Sequence, residues 1–555
     1  MQYIVPSGSM MNLEESENFS LEIGMEIKYE HIINVMPSTD SLDMILSNSH
    51  TNYLTVQLSQ ASDETYCSLI DTILHVLCAY KVVLVQLDIS FVRAGAQFNA
   101  LLLLLDALKY VPCRTLNISN QILKKSPELL QLLFPSPKNS RLIPHFQNIN
   151  IAGNKLVQSQ TLSILQSSTS NNSQYICSLT LDSNIIDYKG AQSLCDWIQR
   201  GEAKYLQYLS LCDCSLEVNM TPTVVAKTPL VMIANVLSTC QHAVRELNLS
   251  KNIRANKQLP SLVFQLLSRQ NALRRVHFNE NKVSNSDMES VAWFIECSKL
   301  QHLSLSHCYL NDEDIIALVD FLNGPRELVG LDISDNQLTD FALIAQALIR
   351  PTAHGIGLKY INLSGNRPTF ESFTQFSAWL THARSLKTLV LDNCSIDCDM
   401  LSILCSRVMI YWLQQKQLPS HRLLPPLHTL SIQRNLIGHR GAQMMAQMMN
   451  KCRPNHPLRV INMSSNHIGT LGMSKLYSCL QNDRQLLYLD VSKCDSDETV
   501  LFSALEEVKF KLVPPPTHIM KAIYLCLRRT KIGTADLIRY IISFLLIEIQ
   551  RKIIV

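Results

Sequence analysis

The chain has 555 residues, 47% of them hydrophobic, which is enough to build a large core. Its 49 basic and 46 acidic residues leave a net charge of +3, a balance that gives no support to a nucleic-acid or membrane-surface binder. Seventeen cysteines, an odd number spread along the whole length, favour reduced thiols in the cytoplasm over a disulfide framework.

The N-terminus, MQYIVPSGSMMNLEESENF, has no basic start followed by an apolar run, so no secretory signal is expected. Residues 1–52 show few repeat features and are expected to form an N-terminal cap. From Tyr53 a template recurs, apolar-x-x-L-x-L-x-x-N/C-x-apolar. Weak copies start at Tyr53, Leu84 and Cys113. Strong copies follow as FQNINIAGNKL from Phe146, ICSLTLDSNII from Ile176, LQYLSLCDCSL from Leu206 and VRELNLSKN from Val244. Then come LRRVHFNENKV from Leu273, LQHLSLSHCYL from Leu300, LVGLDISDNQL from Leu328 and LKYINLSGN from Leu358. The series continues as LKTLVLDNCSI from Leu386, LHTLSIQRNLI from Leu427, LRVINMSSNHI from Leu458 and LLYLDVSKC from Leu486, with a weak copy at Ala522. About sixteen units, mostly 27 to 31 residues apart, therefore fill residues 53–532. Residues 533–555 read as an apolar helix with Thr534 near its start, then the opening of a strand, which is either a helical cap or a truncated repeat. The most apolar stretch there, YIISFLLI at 540–547, falls short of the roughly 18 residues a membrane span needs and has Arg539 and Glu548 at its edges.

Each unit reads as strand, turn, helix and return. In L-x-L the leucines alternate with polar residues, as a strand buried on one face requires. VSNSDMESVAWFIEC places Ser286 and Glu289 at capping-box spacing ahead of apolar residues at helical intervals. KGAQSLCDWI, RGAQMMAQMM and LGMSKLYSCL are further helix starts of one type. A single unit cannot bury its apolar face, and stacking hides it against the neighbours.

This pattern resembles the leucine-rich repeat in its long, ribonuclease-inhibitor-like subclass, over nearly all of residues 53–550. The resemblance implies an α/β solenoid, a horseshoe with a parallel inner sheet and outer helices. It further implies a non-enzymatic scaffold that binds a protein partner through the concave face or the long loops. Similar arrays occur in the Ran GTPase-activating protein and in CARMIL-type regulators of actin capping protein. A small GTPase activated by the chain, or a cytoskeletal regulator, are thus the alternative partners. The acidic tail of the first family, and the lipid-binding domain and basic tail of the second, have no counterpart here. Sequences for a phosphate-binding G-x-x-x-x-G-K-[ST] loop, H-E-x-x-H and G-x-S-x-G are also missing, so no cofactor or enzymatic chemistry is expected.

The slot after L-x-L-x-x reads Asn154, Asn184, Cys214, Asn252, Asn281, Cys308, Asn336, Asn366, Cys394, Asn435, Asn466 and Cys494. Here the chain turns under the strand, where backbone groups are cut off from water and a buried amide or thiol can serve them. Cysteine falls in every third unit, a spacing that about 1% of random placements would give, so a three-repeat period is expected. The units starting at Leu206, Leu386 and Leu486 are also long, at 38, 41 and 36 residues, whereas the one at Leu300 has 28. Their extra segments, EVNMTPTVVAKTPL, WLQQKQLPSHRLLPPLH and KFKLVPPPTHIMK, are candidate binding loops. The N-L-S triplets at Asn248 and Asn362 match the glycosylation pattern, but each is part of a strand and its turn.

No metal is expected. In CDC at 212–214 one cysteine points out and the other in, and Cys394 and Cys398 have no second pair at zinc-site spacing. His277, His302 and His307 lie on strands facing the inner curve and read as part of a solvated polar face. The candidate protein-binding residues are the outward positions of the middle strands: Glu246, Lys251, Arg275, His277, Glu280, His302, His307, Asp332, Asp335 and Tyr360, with Tyr208 and Tyr488 as aromatic neighbours.

Overall fold

The computed structural model describes residues 113–119, 146–154 and, with short interruptions, 176–494, together with the backbone of strands at Leu13–Ser16, Glu30–Asn34, Tyr53–Gln57, Val83–Asp88 and Lys552–Ile554. The extra loops after Glu217, before Leu427 and before Ala522, the repeat at Ala522 and the helix after Gly533 lie outside the described residues. The chain forms two compact units: residues 1–282 with 297–299, and residues 283–296 with 300–555.

In the first unit, Cys113–Asn117, Asn148–Asn150, Ser178–Thr180, Tyr208–Ser210, Glu246–Asn248 and Arg275–His277 pair in parallel, each with the next. Glu30–Asn34, Tyr53–Gln57 and Val83–Asp88 continue this ladder toward the N-terminus, where Leu13–Ser16 pairs antiparallel with Glu30–Asn34. In the second unit the strands are His302–Ser304, Gly330–Asp332, Tyr360–Asn362, Thr388–Val390, Thr429–Ser431, Val460–Asn462 and Tyr488–Asp490, again parallel and consecutive, and Lys552–Ile554 pairs with the last. The register has no stagger. Leu303, Leu331, Ile361, Leu389, Leu430, Ile461 and Leu489 are Cα partners in succession and all are buried. The sheet is open and alternates with helices, the architecture of an α/β leucine-rich-repeat solenoid.

The helices form where the sequence places them. KGAQ, RGAQ and LGMS open helices Tyr188–Gln199, His439–Lys451 and Gly469–Leu480. The glycine in these motifs permits close approach: a Cβ at Gly472 would run into Ile468, Ala442 and the backbone of His439. Asp187, Thr369 and Asp397 cap helix starts by accepting from Gly190 N–H, Ser372 N–H and Met400 N–H. The expected box at Ser286 and Glu289 is corrected. The side chain that closes the reciprocal box is Asp287, paired with Ser284, two residues earlier, through a short 3-10 turn at Asn285–Asp287. Aromatic rings fill the space between sheet and helices, with Phe264 against Phe278 at 4.8 Å in one unit and Phe341 against Phe376 at 5.7 Å in the other.

Beneath each strand end the slot residue ties its repeat to the one before. Asn336 Nδ2 donates to the carbonyls of Leu305 (3.0 Å) in the preceding repeat and Ile333 (2.9 Å) in its own, while its Oδ1 accepts from Cys308 N–H and Leu310 N–H, both at 3.0 Å. Asn252, Asn366, Asn435 and Asn466 repeat this arrangement. The residue before the slot has positive φ in every described repeat, being glycine at 153 and 365 and a side-chain-bearing residue elsewhere.

Cysteine meets the same demand differently. Cys214, Cys308 and Cys394 are at most 1% exposed, and the thiols of Cys214 and Cys394 donate to Leu181 and Leu363 carbonyls at 3.2 and 3.3 Å. Each sulfur also accepts from the preceding slot's N–H, that of Asn184 or Asn366. A thiol has no second acceptor to match Oδ1, and the backbone compensates. Ser215, Tyr309 and Ser395, just after the cysteines, have φ of 54°, 63° and 57°, a turn found after none of the slot asparagines whose next residue is described. It aims the cysteine carbonyl at the preceding repeat, where Cys214 accepts from Ile186 N–H at 3.1 Å and Cys308 from Val283 N–H at 3.3 Å. Facing Cys394 the equivalent residue is Pro368, which has no N–H to satisfy. The three-repeat period seen in the sequence is thus a period in backbone geometry.

The two slot types predict unequal sensitivity. Asn336→Ala strands buried N–H and C=O groups of two repeats and should cost about 3 kcal/mol or more, whereas Cys308→Ala removes one weak donor and should cost about 1 kcal/mol. Urea unfolding followed by circular dichroism separates the two, and equal losses would contradict this account.

Candidate functional site

Two kinds of position carry the candidate residues. The strand residues flanking the buried leucine point away from the core, and the turn residue before the slot is held in the left-handed region. Lys251, Glu280, His307 and Asp335 are of the second kind, with φ between 53° and 60°. Such a conformation is costly for a residue with a Cβ, and here the ladder holds it. His307 N–H, for example, donates to Ser334 O at 3.0 Å and Asp335 N–H to Ser364 O at 2.6 Å.

In the first unit Glu246 is the centre of a charge cluster. Its Oε1 lies 3.1 Å from His277 Nε2 and its Oε2 3.7 Å from the Arg275 guanidinium, on the strand paired with its own. Lys251 Nζ reaches Glu280 Oε1 at 3.0 Å, and this contact raises the lysine pKa. All of these side chains are partly exposed. Tyr208, on the other side of Glu246, is half-buried, and burial raises its phenol pKa.

In the second unit His302 stacks over Gly330, since a Cβ there would strike the imidazole ring. His307 Nδ1 faces Asp335 Oδ2 at 3.5 Å, and the Asp335 carboxylate in turn occupies the space that a Cβ on Gly365 would need. Asp332 is committed to the turn: its Oδ1 accepts from Ser334 N–H (3.0 Å) and Ser334 Oγ (2.6 Å), and its Oδ2 from Asn362 Nδ2 (3.1 Å). Burial, then the nearby Asp332 carboxylate, pushes the Tyr360 phenol up to about 12. Asn248 and Asn362, in the N-L-S triplets, accept from Ser250 N–H and Ser364 N–H in the same kind of turn.

Among the described residues, no group of three or more His, Cys, Asp or Glu side chains is arranged to hold a metal ion. Cys212 is partly exposed and Cys214 fully buried, so the CDC pair diverges as its register requires. No helix of the described residues is long and apolar enough to cross a membrane.

The sequence reading missed two sets of residues. Asp182 and Asp392 each bridge to the next repeat, Asp392 Oδ1 accepting from Ser431 Oγ at 2.6 Å and Gln433 N–H at 2.7 Å; Asp182 does the same with Ser210 and Cys212. The other set is Lys359, Lys387, His428 and Arg459, one per repeat, each just before a strand. The signal was present, since each follows the first leucine of its template in LKY, LKT, LHT and LRV.

A family model described as Leucine Rich repeat matches residues 296–319 and 455–476. The chain carries leucine-rich repeats. Among solved structures, an internalin (inlF) from Listeria monocytogenes is similar at 15% identity over 71% of this chain and 88% of that one, with a TM-score of 0.31. Leiomodin-1 Actin-Binding Site 2 is similar at 14% identity over 29% of this chain and 82% of that one, with a TM-score of 0.21. No curated protein matches the chain. In these leucine-rich repeats the slot and the paired leucines are buried, whereas the side-chain-bearing turn residues before the slot are partly or fully exposed.

Burial pushes the Asp392 carboxyl above its ordinary value near 3.8, against the opposing pull of its hydrogen bonds. An acid whose folded pKa is raised contributes its full stability below the unfolded value and loses it as pH rises through the folded value. Asp392→Asn keeps the acceptor oxygen and removes the ionisation. The variant should therefore gain Tm relative to the parent as pH is raised from about 4 to 7, measured by thermal denaturation; a constant difference across that range would refute the assignment.

Proposed function

We propose that this chain is a non-enzymatic scaffold that binds a protein partner through the strand face of its repeats. The observation that carries this reading is made on each unit by itself, where partly exposed side chains on strands and on the turns after them pair between neighbouring repeats: Glu246 with Arg275 and His277 and Lys251 with Glu280 in the first, and His307 with Asp335 in the second. Exposed ion pairs of this kind are worth little to the fold, about 0–1 kcal/mol each. They can be exchanged for contacts with a partner at small cost. The rigid sheet keeps them pre-organised, which lowers the entropy lost on binding.

The repeat class that fits best is the long, ribonuclease-inhibitor-like one, supported by a full helix after most described strands. A reducing compartment such as the cytoplasm fits the described cysteines, which are thiols outside any disulfide and mostly buried. Residues 1–52 fit the role of a cap, supported by the antiparallel pairing of Leu13–Ser16 with Glu30–Asn34, and residues 533–555 that of a helical cap or a truncated repeat, whose strand Lys552–Ile554 continues the parallel ladder.

Two surface variants test the reading, one for each unit: Glu246→Ala with Arg275→Ala and His277→Ala, and His302→Ala with His307→Ala and Asp335→Ala. Each is compared with the parent chain for the proteins it retains on affinity purification. A partner held by the parent should fall at least about tenfold with one of the two while circular dichroism stays unchanged. Full retention by both would move the binding site off the strand face.

A further inference from the structure

The row formed by Lys359, Lys387, His428 and Arg459 lies on the second unit, at the edge where the chain enters the strands. Its members are neighbours in the ladder, with Lys387 N–H donating to Lys359 O, His428 N–H to Lys387 O and Arg459 N–H to His428 O, all at 2.8 Å. Both lysines are exposed, and the histidine and arginine are half-buried. Among the described residues no carboxylate forms an ion pair with Lys359, Lys387 or His428. The buried Asp483, whose Oδ2 accepts from Leu486 N–H at 3.0 Å, lies close enough to Arg459 to stabilise its charge. The row is bounded, because the same position is Val329 in the repeat before and Leu487 in the repeat after.

We propose that this row is a docking site for the acidic stripe of a helix in a partner protein. The spacing favours a helix. Adjacent strands repeat at about 4.8 Å, close to the 5–6 Å between same-face residues on a helix and shorter than the roughly 6.6 Å between same-face residues on a strand. The three steps of the row span about 14 Å, the rise of nearly three helical turns. The charge pattern favours a stripe one residue wide. Asp332, Asp392 and Asp490 lie further along the same set of strands and turns, and a nucleic acid, anionic along its whole surface, would meet them. Burial, then Lys387 and Arg459 beside it, lower the His428 pKa and favour its neutral form. A bound carboxylate opposes that shift. This site is separate from the strand face argued above and shares with that reading the premise that the partner is a protein.

The test uses the full chain and defined probes. A fluorescent alanine-based helical peptide with glutamates at i, i+4, i+7 and i+11 is titrated by anisotropy, beside the same peptide with glutamines and beside single-stranded oligo-dT. The glutamate peptide should bind, weaken as salt is raised, and lose at least about tenfold in affinity to the Lys359→Glu, Lys387→Glu double variant. The milder Lys359→Gln, Lys387→Gln variant should show a smaller loss, which holds if the reversal perturbs folding. The Glu246→Ala, Arg275→Ala, His277→Ala variant should bind the peptide like the parent, which separates this site from the strand face. No binding of the glutamate peptide, equal binding of the glutamine peptide, unchanged affinity in both lysine variants, or tighter binding of oligo-dT would each overturn the proposal.

Discussion

A turn buried under a parallel strand has backbone donors and acceptors that water cannot reach, and the rest of this structure depends on how they are satisfied. The slot asparagine solves the problem with one planar amide. Its two N–H groups serve carbonyls in its own repeat and the one before, and its oxygen serves two N–H groups of the one before. Each repeat is therefore completed by its neighbour, which sets the register without stagger and aligns the leucines in columns. It also forces the preceding residue into the left-handed region, and so decides which way Lys251, Glu280, His307 and Asp335 are presented.

Cysteine is not a smaller asparagine in this role. Its sulfur replaces one donor and one acceptor, and the missing acceptor is supplied by turning the next peptide so that the cysteine carbonyl faces back. The cysteine repeats share a further trait a few residues on. Glu217, Asp312 and Cys398 each accept from backbone N–H groups in the loop of the following repeat, those of Arg254 and Ala255, of Thr339 and Asp340, and of Gly438. A cysteine at the slot therefore travels with a second left-handed residue and a longer reach into the next loop. That is a physical reason for extra residues to enter two of these three units. The unit at Leu300 shows that the geometry allows an insertion without requiring one.

Much of this was legible in the sequence, because leucine spacing and the slot residue report directly on burial. The columns of leucines, the helix starts at Gly190, Gly441 and Gly472 and the burial of Cys308 follow from pattern alone. The capping box was misplaced by two residues because S-x-x-E and S-x-x-D both fit the segment, and the short 3-10 turn that decides between them has no periodicity to read. For the site, the outward direction of Arg275 and His277 could be read, but their common attachment to Glu246 could not, since it depends on cross-strand register. Asp332 looks like a surface carboxylate in sequence and is spent on Ser334 and Asn362 in the fold. Lys359 and Lys387 were passed over because alternation assigns faces to strand residues and is silent about the residue before the strand.

The charges on the strand face of the first unit and those just before the strands of the second differ in a way that bears on recognition. In the first, Glu246, Arg275, His277, Lys251 and Glu280 neutralise one another, so a partner must break existing pairs and gains only the difference. Such a face discriminates by shape and by the exact placement of counter-charges more than by net attraction. In the second, Lys359, Lys387 and His428 stand in register without a carboxylate pairing them among the described residues, so an acidic group arriving there gives up no internal pair. The first arrangement suits selectivity and the second suits capture. Each rests on the parallel ladder of its own unit, since only strands locked in register can place one polar side chain per repeat at a constant step.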